Sequence, residues 1–420
     1  MLRQCAVSLI AVSGKAVVSR EQVYDVCVIG AGLIGLATAR ALTDGLQGVS
    51  LLVLEKEATV AAHQSSHNSG VVHSGLYYRP GSLKARLCVE GRDAVYRLCE
   101  ETGIPFGRSG KLVIATHPSQ VPALDELERR GKANGLTGMR RLASGEIAEF
   151  EPAATGIDAL HVPEAGVADF PGIAAHHADR LRSTGAEIVT GAEVTAIAPD
   201  GDRVVVEAGE RFAARALVNC AGLHSDRVAT MAGVVPEVRI VPFRGEYYRL
   251  AGEAAHLVKT LIYPVPDPRF PFLGVHFTRR IDGSVEVGPN AVLAFGREHY
   301  RDARPDWAEL RSVLGHPGFR RLARRHWVSG AKEMINSRST RLYARLARNL
   351  VPALRPEHLL PGGAGVRAQA VDAVGNLVDD FVIERAGNTV HVLNAPSPGA
   401  TASIAIGHHI ADQVKPLLQR

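Results

Sequence analysis

Asp25-Val-Cys-Val-Ile-Gly-Ala-Gly-Leu-Ile-Gly35 is the stretch on which the fold turns. Through Ile29 it is a short apolar run, the kind that forms a strand buried on both faces of a parallel sheet. Gly30-Ala-Gly-Leu-Ile-Gly35 follows at once, and Leu36–Leu42 then has the Ala- and Leu-rich composition of a helix. Val49-Ser-Leu-Leu-Val-Leu54 is a second apolar strand, closed by Glu55. Strand, glycine turn, helix, strand and acid within about thirty residues is the full context of a dinucleotide fingerprint. Gly30 permits the tight turn, Gly32 lets the backbone approach a pyrophosphate, and Gly35 lets helix and strand pack closely. The helix N-terminus, with Leu33 and Ile34 in its first turn, offers free N–H groups and a positive dipole end to phosphate. Glu55 stands 20 residues beyond Gly35, where a carboxylate reaches ribose hydroxyls. An ordinary strand–helix–strand turn would account for the glycines but not for Glu55.

Around this stretch the composition is that of a folded enzyme-sized chain. The 420 residues are 46% apolar and 22% charged, which excludes a disordered chain, a collagen and a small disulfide scaffold. The 48 basic and 43 acidic side chains leave a net charge of +5, spread too thinly for a nucleic-acid-binding face. The five cysteines form no CxxC pair and are odd in number, so neither a metal site nor a disulfide framework is expected, and a reducing compartment fits. No run of 18 apolar residues occurs, so no transmembrane helix is expected. Residues 1–23 form an N-terminal extension; a disordered or misassigned start is the expected reading, with a targeting segment as the alternative.

Further along, Gln64-Ser-Ser-His-Asn-Ser-Gly-Val-Val-His-Ser-Gly-Leu-Tyr-Tyr78 packs small polar residues, two histidines and two glycines into one loop-like stretch. Ser82–Gly103 reads as a helix, Gly110–Ala115 as a strand, and residues 119–150 as two helices around Gly135. Ala174–Arg182 reads as helical, with strands at Ala186–Thr190, Glu193–Ile197 and Arg203–Glu207. Ala216–Gly222 is another buried strand, ending in Ala-Gly. Residues 238–295 alternate in the manner of a mixed or antiparallel sheet. Residues 301–355 read as helical and hold twelve arginines against four acids. Arg320, Arg321, Arg324 and Arg325 are spaced to share a helix surface, which is either a solvated face or a dock for an anionic membrane. Near the C-terminus His391–Asn394 is a strand, and Ala395-Pro-Ser-Pro-Gly-Ala-Thr401 feeds the helix Ala402–Leu418, a second anion-friendly helix start.

Several longer motifs accompany the fingerprint: His67–Tyr78, Val241–Tyr247, Ile262–Asp267, Phe270–Phe277, Gly288–Phe295, Ala364-Gly-Val-Arg-Ala-Gln369 and Asn394–Gly399. Together they resemble the D-amino-acid-oxidase-like branch of the glutathione-reductase-like flavoproteins, and within it the L-2-hydroxyglutarate dehydrogenase family. The resemblance implies an α/β fold: a Rossmann-like FAD-binding domain, discontinuous over 24–110, 165–235 and 358–420, interleaved with a β-rich substrate domain of 111–164 and 236–357. It implies oxidation of L-2-hydroxyglutarate to 2-oxoglutarate on non-covalent FAD. Electrons would pass to a quinone or another respiratory-chain acceptor. It places the enzyme in the cytoplasm, or in mitochondria in a eukaryote; the arginine-rich residues 301–355 are where peripheral contact with the inner membrane would run. FAD would meet Gly30, Gly32, Leu33, Ile34, Gly35, Glu55 and Lys56 at its adenosine end, with Val194 as a second adenine contact. Ser66, His67, Asn68, Ser69, Gly70, Ala221, Gly222, Gly365, Val366, Gly399, Ala400, Thr401 and Ala402 would complete its site. The arginine of the Ala-Gly-x-Arg segment, which commonly holds the substrate carboxylate in this branch, is Arg367 here.

The reaction so implied needs a base for the hydroxyl proton, and histidine titrates in the right range. His73, behind the polar loop, and His276, on a strand, stand as equal candidates. A substrate with a carboxylate at each end calls for two cationic anchors. Arg367 is the first; Arg244 is the preferred second, followed by Lys84 and Arg279, with Tyr247 and Tyr263 as hydroxyl donors. An ion pair with Glu246 is the competing role for Arg244. The rival functions are a flavin oxidase of an amine such as glycine or sarcosine, an oxidase of glycerol 3-phosphate, and a flavin-binding membrane-associated protein without turnover.

Overall fold

The computed structural model of the chain describes residues 7–12, 15–266, 274–300, 304–337 and 339–419. Asp267 and Phe270–Leu273, from two of the motifs above, lie outside them, as do Arg301 and Arg338. The chain divides into two compact units, one of residues 1–66, 170–240 and 379–420, the other of 67–169 and 241–378. Residues 67–110, 165–169, 236–240 and 358–378 thus group differently from the sequence-based boundaries. Val71 and Leu76 share one core with Val113, Leu160 and Leu261, and Leu359–Asp372 pairs with Val238–Leu250.

The first unit is built on a parallel sheet in the order Glu187–Val189, Leu51–Leu54, Lys15–Ile29, Glu210–Asn219 and Thr389–Asn394. Cys27 lies opposite Leu52 on one side and Leu217 on the other. Residues 26–29, 51–54 and 216–218 within the sheet are apolar and buried throughout, as a central parallel sheet requires. Ala196–Asp200 and Arg203–Ala208 extend the sheet antiparallel to Glu210–Asn219. The helix Leu33–Gly45 follows the glycine turn, and Ser403–Leu418 packs on it so closely that a Cβ on Gly407 would fall 2.6 Å from the Ala37 carbonyl carbon. The start of the chain departs from expectation: Val7–Val12 pair antiparallel with Lys15–Arg20, continuing the strand that reaches Ile29. The register runs from Val7 opposite Arg20 to Val12 opposite Lys15, where a disordered start is the expectation from sequence.

The second unit carries a mixed sheet ordered Val292–Leu293, Val238–Leu250, Val285–Gly288, His276–Arg279, Leu261–Pro264, Lys111–Ala115, Asp158–Val162 and Arg140–Ala143. Its one parallel pairing on that path joins Leu261–Pro264 to Lys111–Ala115. The helix Leu83–Thr102 begins at Ser82, whose hydroxyl accepts the Ala85 amide, and ends at Gly103 with φ +72°. The expected helix pair over 119–150 is corrected. Only Val121–Ala133 is a full helix; Arg140–Ala143 is an edge strand and Ile147–Phe150 a single turn. The strand wins because Arg141 pairs with Asp158 at 2.6 Å across the ladder and Leu142 is buried.

Residues 301–355 supply the helices Trp307–Gly315, Pro317–Ser337 and Thr340–Ala347. Glu309 forms a buried ion pair with Arg297 at 3.0 Å, both side chains at most 2% exposed. Arg320, Arg321, Arg324 and Arg325 are all exposed, as are Trp307 and Trp327. Arg320 donates to the Gly315 carbonyl and Arg321 to that of Ala373. Among the described residues no helix is long and apolar enough to cross a membrane.

Candidate active site

In the first unit the glycine turn has the geometry its sequence demands. Gly30 adopts φ +100°, and a Cβ there would meet the Cys220 carbonyl oxygen at 2.5 Å; one on Gly35 would lie 2.0 Å from the Gly30 oxygen. Gly32 caps the helix without a side chain, leaving the first-turn region of Leu33 and Ile34 open to an anion apart from one bond, Leu33 N–H to Ser65 Oγ at 3.0 Å. Glu55 is buried, and its carboxylate accepts the amides of Ala31 at 2.8 Å and Glu57 at 3.0 Å. That holds the acid rigidly at the strand end beside the turn. Lys56 pairs with Glu57 at 2.7 Å. Ser66 donates to the Ala61 carbonyl, and Val194 joins the apolar core behind the sheet.

Two more elements of this unit are shaped by missing side chains. Gly222 follows Ala221 at φ +52°, and a Cβ on it would press Gln64 Oε1 at 2.9 Å. Gly399 sits 2.7 Å, measured from an added Cβ, from the Ala395 carbonyl oxygen. Ala400, Thr401 and Ala402 then lead into Ser403–Leu418, whose N-cap, Ala402, also lacks a side-chain cap. A fingerprint turn, a fixed acid and two uncapped helix starts are the donor set that a dinucleotide pyrophosphate and ribose require. The residues fit FAD.

In the second unit, Asn68 accepts the Gly70 amide through Oδ1, and Gly70 has φ +71°. His67 lies against Tyr300, and the intervening Ser69 is half-buried. Gly365 passes so near this loop that a Cβ would meet the His67 carbonyl oxygen at 2.6 Å, with Val366 buried beside it. The loop and the Ala-Gly-Val-Arg strand therefore form one structure.

Beyond them the same unit gathers most of the expected substrate residues. His276 donates Nδ1–H to the Gly274 carbonyl at 2.8 Å and stacks on Tyr263, centroids 4.0 Å apart. Burial above all, with Lys111 and Arg367 adding to it, pushes the His276 imidazole down to about 3. His73 is held well below the usual histidine range by desolvation and by Lys111, His276, Lys84 and Arg367. Both rings are thus neutral at physiological pH. Arg367 donates to the hydroxyl of Tyr247, whose pKa burial raises. Lys84 is buried on its helix, Nζ 5.1 Å from the Tyr78 ring centroid.

Two expected anchors stand elsewhere. Arg244 is ion-paired with Glu246 at 3.2 Å and donates to the His299 carbonyl at 2.6 Å. Its competing role is the one the fold uses. Arg279 donates to the Val258 carbonyl at 3.1 Å, tying two segments of the sheet unit together. Sequence reasoning missed two members of the cluster. Lys111 is 1% exposed, its Nζ 4.1 Å from the Tyr263 centroid and 5.2 Å from that of Tyr77. Burial pushes its pKa down to about 7. Tyr77 has a buried hydroxyl without a hydrogen-bond partner among the described residues. The signal for Lys111 was present: in Lys111-Leu-Val-Ile-Ala115, alternation sets the lysine on the face of Val113 and Ala115.

Comparison with known proteins sets this geometry in context. Residues 25–413 match the family described as FAD dependent oxidoreductase. An L-2-hydroxyglutarate dehydrogenase of Indibacter alkaliphilus is 45% identical over 391 residues, covering 93% of this chain and 98% of that protein. That of Escherichia coli strain K12 is 44% identical, covering 94% of each chain. The human mitochondrial L-2-hydroxyglutarate dehydrogenase is 42% identical over 93% of this chain and 89% of its own. Among solved structures, an FAD-bound L-alpha-glycerophosphate oxidase from Mycoplasma pneumoniae superposes with a TM-score of 0.76 at 22% identity over 95% of each chain. Glycine oxidase from Geobacillus kaustophilus superposes at 0.70 and 22% identity, over 94% of this chain and 95% of that one. At that identity the structural neighbours establish the fold.

Proposed function

The chain belongs to the L-2-hydroxyglutarate dehydrogenase family of FAD dependent oxidoreductases, and from that premise we propose that it oxidises L-2-hydroxyglutarate to 2-oxoglutarate. It is an FAD-dependent enzyme. The observation that carries the substrate assignment is the convergence of Lys84, Lys111 and Arg367 on one histidine, His73. Such a cluster suits an anion with more than one charge and repels an ammonium, which disfavours an amine substrate.

FAD, when bound, accepts the hydride that leaves C2. The chain's own residues do the rest. Gly30, Gly32, Gly35 and Glu55 hold the nucleotide end, joined by the Ala221-Gly222 turn and the Gly399–Ala402 turn. Arg367 holds the carboxylate next to C2 through its guanidinium fork, with Tyr247 fixing the fork's orientation. His73 takes the hydroxyl proton as the C–H bond breaks, and burial above all, with the neighbouring cations, keeps it neutral until then. The second candidate base is His276, for a specific reason: its Nδ1–H is committed to Gly274, so Nε2 is left as the acceptor.

Electrons then pass to a quinone or another respiratory-chain acceptor. The exposed arginines of 320–325, together with Trp327, give a surface that meets anionic lipid at the cytoplasmic face of the inner membrane, or its mitochondrial counterpart in a eukaryote. The test of the reaction is anaerobic. L-2-hydroxyglutarate bleaches the oxidised flavin band and the D isomer leaves it unchanged. Bleaching by glycerol 3-phosphate in its place would move the assignment to that substrate, the other dianion the cluster suits. Of the two histidines, the base is the one whose replacement by Asn lowers the rate of bleaching by about 100-fold or more.

A further inference from the structure

Lys111 opens its strand on a face that is otherwise apolar: Val113 and Ala115, which share that face, pack with Leu127, Tyr263 and Val265. An isolated ammonium at such a place is unfavourable unless a counter-charge arrives. Among the described residues Lys111 has no hydrogen-bond acceptor and no carboxylate partner; its neighbours are the rings of Tyr263 and Tyr77. Tyr77 in turn holds a buried hydroxyl with no partner among the described residues. A buried cation and a buried hydroxyl, the cation 5.2 Å from the ring that carries the hydroxyl, both lack an acceptor among those residues. The same ammonium acts on His73 and His276, so it stands within the cluster already described and not apart from it.

We propose that Lys111, with the Tyr77 hydroxyl beside it, is the anchor for the second carboxylate of the substrate, and so the residue that makes the enzyme select a dicarboxylic over a monocarboxylic 2-hydroxy acid. This rests on the reading above, in which Arg367 takes the first carboxylate. Of the other cations considered for that role, Arg244 and Arg279 are bonded within the fold, and Lys84 has its Nζ over the Tyr78 ring. A carboxylate at Lys111 supplies the missing acceptor for both groups and leaves the two tyrosine rings as the walls of the subsite. The low pKa of Lys111 is consistent: without a counter-ion the buried amine sheds its proton, and a bound carboxylate restores it.

The test compares K111M with the wild-type holoenzyme, using glutarate as a non-oxidisable dicarboxylate and pentanoate as a monocarboxylate of equal length. Binding is read from perturbation of the flavin spectrum and by calorimetry. A lost charge-assisted bond weakens glutarate by about 10- to 100-fold while pentanoate changes by less than about threefold. In turnover, the kcat/KM ratio of L-2-hydroxyglutarate to L-2-hydroxypentanoate falls by the same factor. R367M weakens both ligands. Equal losses for glutarate and pentanoate in K111M, or an unchanged glutarate affinity, would overturn the assignment. If K111M does not retain FAD, K111Q is read by the same criteria. A wild-type enzyme that L-2-hydroxyglutarate cannot reduce would remove the proposed reaction, while the glutarate-to-pentanoate selectivity would still report on Lys111 alone.

Discussion

The imidazole of His276 stacks on the phenol ring of Tyr263, centroids 4.0 Å apart and planes 22° apart. The other contacts of these residues give the stack its meaning. Gly274 fixes the imidazole by its Nδ1–H, and the Lys111 ammonium rests 4.1 Å from the Tyr263 centroid. One ring thus supports two of the groups that surround the proposed substrate. The ring and not the hydroxyl is what both neighbours touch, so Y263F keeps kcat/KM within about fivefold of wild type. Y263L removes the platform and a desolvated cation–π contact, and lowers kcat/KM by about 30-fold. Steady-state kinetics on the two variants decides this; equal damage by both would assign the effect to the hydroxyl.

The pH profile follows from the same cluster. His276 is pushed down to about 3 by burial and is already neutral at pH 5, and burial also holds His73 well below its ordinary value. Lowering the pH from 8 to 5 therefore does not reduce kcat/KM through His276. Lys111, at about 7, behaves oppositely: above that value the free enzyme has lost the charge that attracts a carboxylate, and binding must take up a proton. The groups facing it, Cys88, Tyr77 and Tyr263, are all pushed upward by burial and do not titrate in this window. Hence kcat/KM declines above about pH 7, by up to about tenfold per unit, and the decline disappears in K111M.

How much of this was legible in the sequence depends on how local each determinant is. The fingerprint from Asp25 to Glu55 was readable because one turn, one helix start and one acid share a single strand–helix–strand unit. The clustering of Arg367, His73 and His276 followed from family motifs and was invisible to spacing, since the three come from strands and loops far apart in the chain. Lys111 was passed over because a lysine at a strand start ordinarily lies in solvent; only the pairing of its strand with Leu261–Pro264 buries it beneath Tyr263. Arg244 misled for the opposite reason. Its motif was distinctive, but Glu246 and the His299 carbonyl, one of them 55 residues away, take its Nε and Nη1. The helix expected after Gly135 failed because the ladder to Asp158–Val162 overrode a weak local preference.

The buried pair of Arg297 and Glu309 gives a stability prediction independent of the substrate. Both side chains are almost wholly excluded from water, and the bond ties the start of the helix Trp307–Gly315 to the segment before it. Removing one partner strands a buried charge. E309Q and R297M should each lower the unfolding free energy by about 3–5 kcal/mol in urea titrations, whereas the double replacement R297M/E309L should cost much less. Additive losses in the double variant would show that the residues act separately.

The glycines of the turn separate packing from cofactor binding. A Cβ on Gly35 meets the Gly30 oxygen at 2.0 Å, so G35A forces helix and strand apart and should lower both the melting temperature and the FAD content. A Cβ on Gly32 would meet only Ser65 Oγ, at 3.0 Å, so G32A should fold normally. Its methyl group stands where a pyrophosphate must approach, and FAD affinity falls by about tenfold or more. Fluorescence titration of the deflavinated protein with FAD, beside circular dichroism melts, tests the contrast.

Replacing Lys111 should stabilise the protein even as it damages function. The lysine's folded pKa, about 7, lies far below its unfolded value of 10.5. Between those values the unfolded chain holds a proton that the folded chain has released, so this group makes stability rise with pH across that window. Below pH 7 both states are protonated, and the folded state bears the full penalty of a buried, unpaired ammonium. K111M lifts that penalty. Without ligand at pH 6 its melting temperature should exceed that of the wild type, and the gap should close as the pH rises toward 10. With saturating glutarate the order should reverse, because only the wild type gains from the bound dianion. A lysine kept for packing alone would give the other result, a K111M variant that melts lower at every pH, with or without the ligand.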